Sequence, residues 1–210
     1  IMISTAWGSE TDGFLYIALA DLNNDGTPEI IGFEGHNSYY PGTGRIHIVD
    51  PSSGTNLYTF EGPSPICYWD WSIVDINDDG IQEIVASASE EKKIYVLSPT
   101  LALLDTSTSG IGRVRAVNDV NGDGAKEIIV YNDDVDEYRI LDTNFNILYS
   151  FGQGIGWGNA LITDLDMDGV NEIILNRGSE KCAIYKISTT GIKREERAEN
   201  PSLKMEVVPN

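Results

Sequence analysis

One nine-residue pattern occurs four times in the 210-residue chain and constrains the fold more than any other feature. Each copy reads Asp-x-(Asn or Asp)-x-Asp-Gly-x-x-Glu, and the first aspartates are 54, 44 and 45 residues apart. A repeat of this period indicates an array of similar structural units. We term the copies loop 1 to loop 4; they occupy residues 21–29, 75–83, 119–127 and 164–172.

The residues around each loop predict four β-strands per unit. An apolar segment precedes each loop (15–20, 71–74, 114–117, 160–162), and two consecutive isoleucine or valine residues follow it. An alternating segment comes next (45–50, 93–98, 138–142, 183–188), and then a turn and a short fourth strand such as 56–60 or 147–151. Alternation with a period of two is typical of strands. A helical period is discernible only at 192–199, although 192–197 also aligns with the fourth strand of the last unit.

Four strands in about 45 residues are typical of a β-propeller blade. We therefore predict an all-β fold, a propeller of four-stranded blades over residues 1–199, followed by a linker or strand at 200–210. Residues 1–4 align with the outer strand of a preceding blade, which would give a closed four-bladed ring one strand too many. The chain is then either such a ring or a slice of a larger propeller. Its ends are candidates for strand addition to another protein or to copies of itself.

The loops carry the chemistry of a hard cation site. Oxygen-bearing side chains occupy the first, third, fifth and ninth places, glycine at the sixth permits a sharp bend, and the seventh carbonyl can become a ligand. Oxygen ligands in flexible, high coordination favour Ca²⁺ over Mg²⁺, so we expect about four Ca²⁺, one per repeat. The expected ligands are Asp21, Asn23, Asp25, Thr27 and Glu29; Asp75, Asn77, Asp79, Ile81 and Glu83; Asp119, Asn121, Asp123, Ala125 and Glu127; and Asp164, Asp166, Asp168, Val170 and Glu172.

Two other interpretations of the loops were weighed. An EF-hand needs an acid at the twelfth place, where the chain has Gly32, Ala86, Val130 and Leu175, so that loop is excluded. Metal-free turns, in which Asp and Asn side chains hydrogen-bond their own backbone, are the other possibility. All four copies have an oxygen-bearing side chain at every ligand place, which favours the metal-binding interpretation.

Charge supports the same interpretation. The chain has 33 acids against 14 bases and a formal net charge of −19, which argues against nucleic acid or an anionic membrane surface as a partner. No apolar stretch is long enough for a membrane helix. Each Ca²⁺ adds two charges, so four would bring the net charge to −11.

In these loops and their strand context, the units resemble the FG-GAP/VCBS repeats of calcium-bearing β-propellers, such as the heads of integrin α-subunits. The resemblance covers about residues 1–190, and Phe151-Gly-Gln-Gly154 is similar to the phenylalanine-glycine part of that motif. Two departures are Glu in place of the common Asp at the ninth place, and the lack of Gly-Ala-Pro. The resemblance implies a calcium-stabilised scaffold located outside the cell or at its surface, without specifying a ligand.

We therefore expect a non-enzymatic structural or adhesive module, since no nucleophile elbow, phosphate loop or zinc spacing is present. The alternative is a carbohydrate-binding or polysaccharide-degrading propeller, with His36, Tyr39 and Tyr40 as a possible sugar platform on a long hairpin. The two cysteines, Cys67 and Cys182, are either free thiols or a disulfide.

Overall fold

The computed structural model of the chain describes residues 16–34, 44–63, 66–151, 158, 160–176, 182–188 and 191–195. Every regular element in this part of the chain is a β-strand, which confirms the all-β prediction. No helix of the described residues is long and apolar enough to cross a membrane.

In the described residues sixteen strands form four antiparallel sheets of four strands each, and within a sheet each strand pairs with the next one along the chain. Sheet 1 contains β1 (Tyr16–Ala20), β2 (Glu29–Glu34), β3 (Arg45–Val49) and β4 (Asn56–Glu61). Sheet 2 contains β5 (Ile66–Val74), β6 (Glu83–Ala88), β7 (Lys93–Leu97) and β8 (Leu103–Thr106). Sheet 3 contains β9 (Arg113–Asn118), β10 (Glu127–Asn132), β11 (Glu137–Leu141) and β12 (Ile147–Phe151). Sheet 4 contains β13 (Ala160–Thr163), β14 (Glu172–Asn176), β15 (Cys182–Ser188) and β16 (Gly191–Glu195).

The possible helix at 192–199 is wrong for the residues that the structure describes. Gly191–Glu195 form β16, which pairs with β15 in a register that matches Ile187 with Ile192 and Ser188 with Gly191. Only two residues separate Ser188 from Gly191, so the chain turns back at once and the backbone groups of 191–195 bond to β15. The fourth-strand interpretation of this segment is therefore correct.

The pair of β-branched residues after each loop explains how the sheets stack. Successive strand residues point to opposite faces, so each pair supplies one side chain to each face of its sheet. Between sheets 1 and 2 the second residue of one pair, Ile31, and the first of the next, Ile84, lie in one apolar cluster. In the same way Val85 and Ile128 lie in one cluster between sheets 2 and 3. Ile129 and Ile173 lie in one cluster between sheets 3 and 4. All six side chains are fully buried, each contributing about 1.5–3 kcal/mol.

These three seams join sheets 1 to 4 in chain order and give a propeller-like arrangement. In the described part of the chain no apolar cluster joins sheet 4 back to sheet 1, so no closed ring is seen. The two outer faces stay partly open: Leu19, which pairs with Ile30, is 66% exposed, and Leu161, which pairs with Ile174, is 59% exposed.

Two contacts between first strands and their neighbours reinforce the seams. The Trp71 ring stacks on Phe33 of sheet 1 at a centroid distance of 4.2 Å, which agrees with a packing role for this tryptophan. Asp70 of sheet 2 forms an ion pair with Arg115 of sheet 3, and both side chains are almost completely buried. Burial raises the pKa of Asp70 despite the positive charges of Arg115 and Arg113.

Candidate metal centre

Each of the four loops connects the first strand of its sheet to the second strand. The glycine at the sixth place has a φ of 87°, 89°, 93° and 90° in loops 1 to 4, a left-handed conformation that makes the sharp bend expected at this place. A Cβ atom on these glycines would meet nothing within 4 Å. The requirement for glycine is therefore conformational and does not come from crowding.

The residue at the fourth place also has a left-handed backbone conformation, which was not predicted from the sequence. Asn24, Asp78, Gly122 and Met167 have φ values of 57°, 59°, 81° and 61°. Asn, Asp and Gly are the residues that adopt this conformation most readily, so the residue types in loops 1 to 3 contained the signal. Met167 is the exception, and its side chain is 91% exposed.

The first aspartate of each loop holds the turn together through backbone N–H groups. Asp21 accepts hydrogen bonds from Asp25 N at 3.0 Å and from Gly26 N at 2.8 Å. Loops 2 and 4 repeat both bonds. In loop 3 Asp119 keeps the bond from Gly124 N and accepts a second from Gly122 N. The four loops thus share a set of hydrogen bonds between acidic side chains and backbone N–H groups, which we term the loop frame.

The glutamate at the ninth place is the most buried acid of each loop. Glu29, Glu83, Glu127 and Glu172 are 6%, 2%, 3% and 0% exposed. In every loop its Oε2 accepts a hydrogen bond from the backbone N–H of the second loop residue, at 2.7 to 3.0 Å. Burial raises the pKa of Glu83 and Glu127, and the negative charges of neighbouring loop aspartates raise it further. A cation among these carboxylates would offset that repulsion.

The fifth and seventh places complete the frame. The backbone N–H of Thr27, Ile81, Ala125 and Val170 donates to the fifth-place aspartate at 2.8, 2.8, 2.8 and 3.0 Å. These are the side-chain-to-backbone turns of the metal-free interpretation. They do not compete with metal binding, because an ionised carboxylate offers about four acceptor positions and the bonds use only part of them.

The residue at the third place is an asparagine in loops 1 to 3 and an aspartate in loop 4. In loops 1 and 3 the Nδ2 group of Asn23 or Asn121 donates to Oε1 of the ninth-place glutamate at 2.9 and 2.8 Å. In loop 2 Asn77 Nδ2 donates to Asp79 instead. Loop 4 has Asp166 here, and carboxylate oxygens of Asp164, Asp166 and Glu172 lie within 4.8 Å of one another.

A lysine from outside loop 4 lies among its carboxylates. Lys186 Nζ on β15 is 2.7 Å from Asp168 Oδ2, 2.7 Å from Glu172 Oε1 and 3.1 Å from Asp166 Oδ2. The carboxylates of Asp168 and Glu172 beside the ammonium group raise the pKa of Lys186 well above its ordinary value. The sequence predicted Lys186 to be a strand residue, as it is, but the contact with loop 4 was not predicted.

Neighbouring loops are bonded to one another. Asn24 Nδ2 of loop 1 donates to the Gly80 carbonyl of loop 2 at 3.0 Å. Lys126 of loop 3 pairs with Asp78 of loop 2 at 2.7 Å. Asn171 Nδ2 of loop 4 donates to the Asp119 carbonyl of loop 3 at 2.7 Å. The loops therefore form a continuous acidic row along one end of the sheets.

Other expected site residues lie outside the described part of the chain. This applies to His36, Tyr39 and Tyr40, the possible sugar platform, and to the side chains of Cys67 and Cys182. His47, expected to be a strand residue, lies on β3 and is 5% exposed.

No protein-family model matches this chain, and no curated protein matches it in sequence. Solved structures do resemble it. The V. cholerae biofilm matrix protein Bap1 is 18% identical with a TM-score of 0.54, over 83% of this chain and 35% of that one. BBS1N, crystallised in complex with ARL6DN, is 11% identical with a TM-score of 0.55, over 85% of this chain and 49% of that one. BamB from Moraxella catarrhalis is 13% identical with a TM-score of 0.48, over 78% and 47%.

At these identities the first two likenesses concern the fold alone. The chain spans about a third of the length of Bap1 and about half of BBS1N.

Proposed function

We propose that this chain is a non-enzymatic, calcium-stabilised scaffold module of the β-propeller type, in which each loop binds one Ca²⁺. The observation that carries the proposal is the common frame of the four loops. In each of them the backbone holds an aspartate at the first place and a buried glutamate at the ninth on the same short turn.

The residues fit a calcium ion by their chemistry. Side chains at the first, third, fifth and ninth places supply only oxygen ligands in loops 1 to 4, with no sulfur or imidazole. The calcium would neutralise carboxylates that the fold brings together. The ligand set of loop 3, for example, is Asp119, Asn121, Asp123, the Ala125 carbonyl and Glu127.

Calcium would act on the whole row of loops because the loops join strands and also bond to one another. A ligand that binds only the folded chain stabilises it by about 2.7 kcal/mol per site when its free concentration is a hundred times the dissociation constant. Such a module suits the space outside the cell, where calcium-binding modules operate with dissociation constants of about 10⁻⁴–10⁻³ M. We propose that it is located outside the cell or at the cell surface.

The outer faces of sheets 1 and 4 suggest how the module assembles. Leu19 of sheet 1 and Leu161 of sheet 4 are exposed, whereas apolar residues at the same strand positions in the inner seams, such as Ile73, Val117 and Ala116, are buried or partly buried. Further blades, another protein or copies of this chain would cover them, with strand addition through the ends as a second route.

Thermal unfolding in chelator, calcium and magnesium tests the metal assignment. We expect calcium to raise the melting temperature by several degrees per site, since about 1 kcal/mol corresponds to roughly 2–4 °C for a chain of this size. Magnesium should do much less, because it demands a small, nearly octahedral ligand set. A melting temperature that is identical in chelator and calcium would disprove the proposal.

Counting the ions by isothermal titration calorimetry sharpens this test. Asp119→Ala removes the first-place ligand of loop 3, so the variant should bind one Ca²⁺ fewer than the parent protein. Asp134→Ala is the matched control, because it removes an exposed carboxylate from the β10–β11 turn of the same sheet, outside every loop. Equal ion counts for the two variants would argue against loop 3 as a site.

A further inference from the structure

The position of Lys186 follows from the longer third strand of sheet 4. Lys186 pairs directly with Glu172, because β15 continues to Ser188. In sheets 1 to 3 the third strand ends at Val49, Leu97 or Leu141, which pair with the residue after the glutamate. The residues that correspond to Lys186 are therefore Asp50, Ser98 and Asp142.

Those three residues are engaged in turns of their own. Asp50 Oδ1 accepts from Ser52 N, Ser98 Oγ from Ala102 N and Asp142 Oδ1 from Asn144 N, at 2.7 to 3.1 Å. Each begins the connection to the fourth strand. Only sheet 4, in which two residues connect β15 to β16, has a strand residue with a long side chain beside its loop.

Lys186 also coincides with a change of charge. Loops 1 to 3 each have three carboxylates and an asparagine at their four side-chain ligand places, whereas loop 4 has four carboxylates. The ammonium group of Lys186 offsets the additional carboxylate, so the net charge at loop 4 equals that of the ligand side chains in each other loop. It further replaces the missing amide, because Nζ contacts Glu172 Oε1 just as Asn23 Nδ2 and Asn121 Nδ2 contact the corresponding glutamates.

Lysine and a metal ion compete for this site, because both are cations that would lie among the same carboxylates. Nζ lies within 3.1 Å of three of the four ligand carboxylates of loop 4, and its side chain is 19% exposed. A bound Ca²⁺ needs the same oxygens at about 2.3–2.6 Å and would repel the ammonium group.

From these observations we propose that Lys186 is a tethered cation that holds loop 4 in shape without calcium and must leave before calcium binds there. Loop 4 therefore fills last, after loops 1 to 3. This inference rests on the proposed calcium binding and adds a residue that sets the relative affinity of one site.

Calorimetric titration of the chelator-treated chain with CaCl₂ tests the order of filling. The parent protein should show three tighter sites and one weaker site. Lys186→Met keeps the aliphatic chain and removes the charge, so the weak site should tighten at least tenfold. Lys92→Met is the matched control: Lys92 pairs with Asp133 and Asp134, which lie outside every loop, so all affinities should stay within about twofold.

Lys186→Met alone leaves four carboxylates in loop 4 without a compensating charge, which would destabilise the loop. A double variant avoids this problem. Asp166→Asn combined with Lys186→Met gives loop 4 the ligand side chains of loop 3, and we expect four sites of one class. A weak fourth site that persists in the double variant would overturn the role of Lys186.

The remaining outcomes separate the two proposals. Four equivalent sites in the parent protein, unchanged by Lys186→Met, would refute the tethered cation while leaving calcium binding intact. No binding heat in any loop, with a melting temperature insensitive to calcium, would refute the proposed function and this inference with it.

Discussion

Loops 3 and 4 are neighbours with the same spacing, the same left-handed glycine and the same buried glutamate, yet they balance their charges differently. Loop 3 places an amide, Asn121, against its glutamate, and loop 4 places an ammonium group from another strand there. The shared part is made by backbone N–H groups and by glycine. The comparison teaches that the frame of the loop is independent of the group that compensates its carboxylates.

The largest effect should come from removing the glutamate charge in each loop. In Glu172→Gln an amide N–H₂ or an uncharged oxygen would face Lys186, so a buried, charged partner is lost. In chelator we expect a loss of about 2–3 kcal/mol, less than the roughly 3–5 kcal/mol for a broken buried pair, because Lys186 is partly exposed and keeps Asp166 and Asp168 as partners. Glu127→Gln has a neutral partner in Asn121, and should cost only about 1 kcal/mol.

Urea denaturation of both variants in chelator measures this difference. Lys186→Met completes a double-mutant cycle: it should cost less stability in the Glu172→Gln background than in the parent chain, because the pair with Glu172 is already gone. Equal destabilisation by the two glutamine variants would mean that Lys186 contributes nothing to loop 4.

The frame of the loops was largely predictable from sequence, and its physical basis explains why. Local spacing determines which side chains a turn brings to its own backbone, so the roles of Asp119, Gly124 and Glu127 could be inferred from their places in the repeat. The β-branched pairs likewise helped to predict the second strand of each unit. Local chemistry and period were sufficient because both partners of each contact lie within a few residues or one repeat.

The contacts made across longer distances were not predictable in the same way. Lys186 is 14 residues from Glu172, and its contact depends on β15 being longer than β3, β7 and β11. The buried ion pair of Asp70 and Arg115 joins sheet 2 to sheet 3. A signal for Lys186 was nevertheless present, because the only lysine at its place in the repeat accompanies the only aspartate at the third loop place.

Another prediction concerns the fourth place of the loops, which is Gly122 in loop 3 and Met167 in loop 4. Both have positive φ, which costs a residue with a side chain about 1–2 kcal/mol, partly offset by the greater freedom of glycine in the unfolded chain. Gly122→Met should therefore destabilise by about 1 kcal/mol and Met167→Gly should stabilise by a similar amount. A Cβ at Gly122 would be 3.8 Å from Val170, an ordinary contact, so crowding does not contribute.

Urea denaturation checks this pair of exchanges, with Met167→Asn as the control because asparagine tolerates positive φ while keeping a side chain. Met167→Asn should recover part of the gain of Met167→Gly. If Met167→Gly destabilised the chain, the exposed methionine would have a stabilising contact that outweighs its backbone cost.

The smallest effects should come from exchanging the third-place residues. In chelator, Asn121→Asp adds a fourth carboxylate to loop 3 with no lysine beside it and removes the donor to Glu127, so we expect a loss of roughly 0.5–1 kcal/mol. Asp166→Asn should change stability by less than about 0.5 kcal/mol, because Lys186 keeps Asp168 and Glu172. Saturating calcium should reverse the order: the extra carboxylate of Asn121→Asp would then bind the ion, and its stability should equal or exceed that of the parent protein. Denaturation curves with and without calcium measure both signs, and a loss in Asn121→Asp that calcium leaves unchanged would mean that the third place does not reach the ion.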